Sequence, residues 1–227
     1  MDILAVSDSE LEFIYSPAIQ DRFGGVDLVI SCGDLSYYYL EYIVSTLDVP
    51  LYYVRGNHAP RVEFGSAGER TSPWGAIDLH RKVMRGPGGL ILAGLEGSLR
   101  YNRGPHQYTQ SEYWRMVWRM VPRLLLNKQL HGRFLDIFVA HAPPWGIHAA
   151  DDLPHQGIKA FRWLIDVFQP AYFLHGHIHL YRQNPVRISQ VKDTKVVNCY
   201  GYLQFQYTVP EGGRHKALSN ALGTGKS

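Results

Sequence analysis

The chain has 227 residues, 45% of them hydrophobic and 19% charged, with 23 basic against 20 acidic side chains and a formal net charge of +3. That length and hydrophobic content can bury a full core, and a single α/β domain over residues 1–209 is expected, followed by a polar tail over 210–227. The balance is too mild to argue for a nucleic-acid groove, and two cysteines, Cys32 and Cys199, are too few for a disulfide scaffold and read as buried thiols.

Residues 3–6 read as a short, wholly apolar strand of the kind buried on both faces of a central sheet, and they deliver Asp8 and Glu10. Ser16-Pro17 reads as a helix start with the hydroxyl as cap, and Gly24-Gly25 as its stop. Residues 26–30 form a second strand leading to Gly33-Asp34. From Ser36, Leu40, Ile43, Val44 and Leu47 mark one helical stripe, which Pro50 ends. Residues 51–54 are a third strand, so 26–54 predict a strand–helix–strand unit with a parallel crossover. Residues 59–75 show no period and read as a long surface loop. Strands are expected over 76–80 and 89–93 around a turn at Gly86-Pro87-Gly88.

Residues 111–129 have helical composition, but Pro122 predicts a break into two helices. A strand over 135–140 leads to His141, and Ile158, Phe161, Leu164, Ile165 and Phe168 form a helical stripe ending before Pro170. A further strand ends in Leu174-His175-Gly176-His177-Ile178-His179. Residues 186–190 and 195–199 predict a hairpin around Lys192-Asp193, and 202–209 a last strand. With no basic segment ahead of a long apolar stretch and no run of membrane-span length, no secretory signal and no membrane partner are expected, and a cytoplasmic location is.

Five polar stretches each follow an apolar run: Ser7-Asp8, Gly33-Asp34, Arg55-Gly56-Asn57-His58, His141 and the histidine cluster at 175–179. In an open α/β sheet the loops after successive strands converge on one site. Two aspartates, an asparagine and several histidines would meet there, and those are ligand types for divalent metals.

In order and wording these stretches resemble the calcineurin-like metallophosphoesterase superfamily, whose blocks read Asp-x-His, Gly-Asp, Gly-Asn-His-Asp/Glu, His and Gly-His-x-His. The resemblance spans Asp8 to His179 and departs at two positions, where Glu10 replaces a histidine and Ala59 an acid. It implies an α/β fold, a βαβ sandwich of two central sheets flanked by helices in four layers. It also implies a hydrolase of phosphomonoesters or phosphodiesters that activates water at a site for two divalent metal ions, manganese, iron or zinc. Carried over residue by residue, Asp34 bridges the ions, Asp8 and His179 hold one, and Asn57, His141 and His177 hold the other. His58 matches a non-ligand histidine that acts on the transition state or the leaving group.

Glu10 either ligates, hardening the first position toward manganese or iron, or faces solvent. Ala59 cannot orient His58. In the family a glycine-rich loop comparable to 94–103 approaches the site, so Arg100 and Arg103 are candidates for binding a substrate anion or are simply solvated. His175 is left over as a supporting or packing residue, while His148 and His155 lie within reach of the His141 loop. A phosphate-ester small molecule is the expected partner. The alternative is a degenerate member that binds metal or nucleotide without efficient hydrolysis. A nuclease would need a continuous basic groove that the sequence does not show.

Overall fold

The computed structural model describes residues 1–65, 68–150, 152–180 and 186–210. Its centre is two mixed sheets laid face to face. The first takes β1 (Asp2–Ser7), β2 (Leu28–Ser31), β3 (Leu51–Tyr53), β6 (Ala76–Asp78) and β15 (Gly201–Gln206) in the order β15-β1-β2-β3-β6. β1, β2, β3 and β6 run parallel, and β15 closes one edge antiparallel to β1. The second takes β7 (Lys82–Arg85), β8 (Ile91–Leu95), β11 (Ile137–Ala140), β12 (Tyr172–His175), β13 (Ile188–Val191) and β14 (Thr194–Asn198) in the order β13-β14-β12-β11-β8-β7. Four parallel strands again form its middle, with antiparallel β13 and β7 at the edges.

Side chains alternate across a strand, so the wholly apolar strands serve two cores at once. Ile3, Ala5, Leu28 and Ile30 face Ile137, Val139, Leu174 and Val197 between the sheets. Leu4, Val6 and Val29 turn outward onto α1 (Ala18–Phe23) and α2 (Tyr37–Leu47). Phe138 and Phe173 turn outward onto α3 (Gln110–His131) and α4 (Lys159–Phe168). The result is four layers, helix, sheet, sheet, helix, as the sequence led us to expect. Each fully buried Leu, Ile or Phe in these layers stabilises the fold by roughly 1.5–3 kcal/mol.

Several expectations are corrected. Pro122 does not split α3, which runs unbroken over 22 residues. Proline lacks the N–H that would reach back one turn, but it sits on the exposed face. The buried stripe of Tyr113, Val117, Met120 and Leu124 continues past it on the sheet, and that packing outweighs the lost bond. The helix begins at a capping box, Thr109 with Glu112, that the sequence reading passed over. Ser16 does not cap α1, because its hydroxyl donates to the Phe13 carbonyl at 3.1 Å. The stretch read as loop holds a small hairpin, β4 (Glu63–Gly65) with β5 (Gly68–Arg70), strands too short to show a period.

The turn near Gly86 joins β7 to β8, with a 3-10 turn at Pro87–Gly89, while β6 leaves for the other sheet. β7 was missed because it is a four-residue edge strand with exposed charges at both ends. A two-stranded ladder of β9 (Ser98–Leu99) and β10 (Gln107–Tyr108) completes the strands. The expected tail from 211 lies outside the described residues.

The buried carboxylate of Asp136 ties three elements together. It accepts from the Ile91 N–H at 2.7 Å, the Arg133 Nε at 2.7 Å and the Tyr207 hydroxyl at 2.9 Å. Replacing it leaves the buried Ile91 N–H and the Arg133 Nε without an acceptor and a largely buried guanidinium without its countercharge. Asp136→Ala is therefore expected to lower unfolding free energy by about 3 kcal/mol in a urea titration. A loss below about 1 kcal/mol would show that these donors find other partners.

Candidate metal centre

All five polar stretches arrive at the same place, beyond the carboxyl ends of β1, β2, β3, β11 and β12. Ligand atoms of Asp8, Asp34 and His141 lie within 4.8 Å of one another. The backbone bends sharply to bring them there: Asp8, Asp34 and His177 all have positive φ, at 63°, 54° and 66°. Residues other than glycine rarely adopt this region, and such strain concentrates at functional sites. Gly56 and Gly176 leave room for the carboxylates. A Cβ on Gly56 would sit 1.9 Å from Asp34 Oδ1, and one on Gly176 would sit 2.3 Å from Asp8 Oδ2.

His141 is fully buried, and its Nδ1 is 2.8 Å from the Cys32 carbonyl. Only an N–H can satisfy that oxygen, so Nδ1 carries the proton and Nε2 faces the site. Nε2 lies 3.1 Å from both Asp34 Oδ2 and Asn57 Oδ1. Burial opposes charge on this ring, but the Asp34 and Asp8 carboxylates outweigh it and push its value up to about 9. For Asp34, burial acts upward and is overcome by His141, which holds the carboxyl well below the usual range. Asp8 moves the other way, because desolvation dominates and Asp34 adds like charge. Its two oxygens accept the backbone N–H of His177, each at 3.0 Å. The Asp34 Oδ1 accepts the backbone N–H of His58 at 2.9 Å.

Two nearly buried carboxylates, an amide oxygen and an imidazole with Nε2 turned inward fit a divalent cation, because among the described residues only the His141 and His179 rings lie against the paired negative charge, and an ion would take the place of the His141 proton. The remaining expected residues are less gathered. His179 is exposed, with Nε2 3.8 Å from Asp8 Oδ1 and its ring against Tyr200. His177 is buried, and its Nε2 is 3.1 Å from the Pro154 carbonyl, in the 3-10 turn Leu153–His155. His58 is exposed.

Glu10 does not join the cluster. Its carboxylate accepts the Ser36 N–H at 2.9 Å, at the start of α2, where Glu63 also accepts the N–H groups of Tyr37 and Tyr38. Both acids therefore complement the helix dipole. Arg100 is paired with Glu112 at 3.1 Å, at the capping box of α3, and Arg103 is exposed. The contact from their loop is instead Tyr101, whose hydroxyl accepts from Asn57 Nδ2 at 3.1 Å and so turns the amide oxygen toward His141. An aromatic flanked by two arginines was the available signal, and charge drew attention away from it.

A second missed feature supports the Asn57 loop from behind. Arg55 pairs with Asp78 at 2.8 Å and approaches Glu96 at 3.5 Å. Glu96 also accepts from the Tyr108 hydroxyl at 2.6 Å and meets His106 Nδ1 at 3.0 Å.

The fold and this donor set define an α/β sandwich with a carboxylate–imidazole centre at the strand ends. The sequence model of the calcineurin-like phosphoesterase family matches residues 1–181, and the chain belongs to that family. Two solved structures agree on the fold. One superposes with a TM-score of 0.58 at 15% identity, covering 89% of this chain and 94% of its own. The protein TT1561 of Thermus thermophilus gives 0.57 at 15% identity, with 88% and 89% covered. Phosphopantetheinyl hydrolase from Mycobacterium tuberculosis gives 0.49 at 12%, with 87% and 88% covered. No curated protein matches the sequence.

Glu96 makes the supporting cluster sensitive to acid. Burial pushes its carboxyl up, but the His106 hydrogen bond, the His80 charge and the Tyr108 hydroxyl bring it down to about 2 from an ordinary 4.5. A depressed carboxyl contributes stability that is present above pH 4.5 and is lost as pH falls toward 2, here about 3 kcal/mol. Denaturant titrations at pH 6 and at about pH 2.5 should show that loss, and Glu96→Gln should remove most of it. An unchanged acid loss in the variant would assign the effect to other groups.

Proposed function

We propose that the chain is a metal-dependent phosphoesterase acting on phosphomonoesters or phosphodiesters at a centre for two divalent ions, with Asp34 between them. The observation that carries this is the convergence of Asp8, Asp34 and His141 on one partly buried point, on strained backbone, in a chain of the calcineurin-like family. Divalent ions held there would polarise the phosphoryl oxygens and lower the pKa of an attacking water.

The chain's own residues define the rest of the reaction. Asp34 and Asp8 supply the negative charge that holds the ions, and Asn57 adds a neutral oxygen oriented by Tyr101. His141 is oriented by the Cys32 carbonyl through Nδ1, so Nε2 faces the centre without reorganising and would release its proton when an ion binds. His58 stands beside Asp34 through its backbone, and its exposed ring is free to meet a leaving-group oxygen and donate a proton to it. His177 and His179 would complete the two ligand sets, and ligation through His177 Nε2 would need that atom to leave the Pro154 carbonyl.

The contact between His177 and Pro154, the exposure of His179 and the alanine after His58 favour a second reading, a member that binds ion or nucleotide with little turnover. The purified chain loaded with manganese, iron or zinc and given nitrophenyl phosphate and bis-nitrophenyl phosphate separates the two. Turnover supports the enzyme, and tight ion binding with no product under any metal supports the degenerate form.

Asp34→Asn should lower both turnover and ion affinity by about 100-fold or more, since an amide cannot supply the shared charge. Retention of full activity and ion content by that variant would remove Asp34 from the centre. Glu10→Ala, in contrast, should leave ion content unchanged and cost less than about 1 kcal/mol of stability through the start of α2. A drop in bound ion measured by elemental analysis would restore Glu10 as a ligand.

A further inference from the structure

The outward face of α3 carries a pattern that the candidate centre does not use. Trp118, Leu125, Leu126 and Leu130 are 55%, 53%, 41% and 40% exposed. Arg115, Arg119 and Arg123 are exposed among them, at spacings that place all seven on one side of the helix, opposite the buried stripe of Tyr113, Val117 and Leu124. The one acid in the helix, Glu112, sits in its first turn and is paired with Arg100.

The adjoining edge strand continues the charge. Arg81, Lys82 and Arg85 are exposed on and beside β7. Between β7 and α3 lies a groove of about 390 Å³ lined by Arg81, Arg119 and Arg123 over Val83, Pro122 and Leu126. Among the described residues, the arginines paired with carboxylates are Arg55, Arg70, Arg100, Arg133 and Arg162, so the cations of this face carry no ion pair, although Arg81 lies over the Tyr108 ring at 6.0 Å.

We infer that this face is a peripheral docking surface for an anionic lipid bilayer. Arginine phosphate contacts alone would suit a nucleic acid equally, but a nucleic acid backbone gives the three leucines nothing to bury against. A bilayer interface takes both components at once, with cations at the headgroups and Trp and Leu side chains at the acyl boundary. Trp118 packs at a tilt against Trp163 of α4, 4.9 Å between centroids, which extends an aromatic ridge along the same layer. No helix among the described residues is long and apolar enough to cross a membrane. That concerns spanning, whereas an interfacial face needs only one amphipathic side. The surface belongs to the outer helical layer and is independent of the reading given to the metal centre.

Sedimentation of the full chain with vesicles tests it. Vesicles of phosphatidylcholine with about a third phosphatidylserine should carry the protein down at low salt, and pure phosphatidylcholine vesicles should not. Each basic residue near such a surface contributes about fivefold in partition, so Arg119→Gln/Arg123→Gln should weaken binding about 25-fold. Leu125→Ser/Leu126→Ser should weaken it as well, with ion content and thermal unfolding unchanged in both variants. Equal partition onto both vesicle types, or none onto either, overturns the proposal. So does retention of a short DNA or RNA duplex that is lost in the arginine variant while the leucine variant binds normally.

Discussion

The arrangement at the strand ends depends on one bond, the capture of the His177 backbone N–H by both oxygens of Asp8. Asp8 follows a strand of the first sheet and His177 follows a strand of the second, so this contact, together with the His141 bond to the Cys32 carbonyl, pins the ends of two layers whose interior is apolar. It works only because Gly176 allows the main chain to come within reach of the carboxylate. The carboxylate is itself almost fully buried, and leaving it without a hydrogen-bond donor there would cost several kcal/mol. The bond therefore sets both the spacing of the sheets at this end and the orientation of a donor in the centre.

Much of this architecture could be read in the amino-acid order. Strands such as 3–6 and 137–140 are apolar on both faces, a pattern that only burial between two covering layers explains, and each is soon followed by a polar residue in the next loop. What the sequence reading missed was short or contextual. β4, β5 and β7 have three or four residues, too few for alternation to register, and Pro122 was tolerated because the sheet beneath α3 holds the helix on both sides of it. Composition cannot report that kind of tertiary support.

The site was legible in the same uneven way. Asp8, Asp34, Asn57 and His141 were marked by position after a strand, and they are the ones the fold brings together. Glu10 was marked by position too, but the start of α2 lies nearby with unsatisfied N–H groups, and those claim its carboxylate. Arg100 was claimed in turn by the acid of a capping box nine residues after Arg103. In both cases a helix terminus competes with the site for a charge, and only three-dimensional placement decides the outcome.

The left-handed backbone at Asp8, Asp34 and His177 has a consequence for how this chain tolerates change. Most side chains in that conformation raise the energy of the folded state, while asparagine, aspartate and glycine do so least. An alanine scan across these positions would thus mix two effects, the removal of a donor and the strain of a Cβ in an unfavourable turn. Comparison of asparagine with glycine at the two aspartates separates them, because glycine relieves the backbone while asparagine keeps the side chain's shape. Mutational tolerance there reports on chain geometry as much as on chemistry.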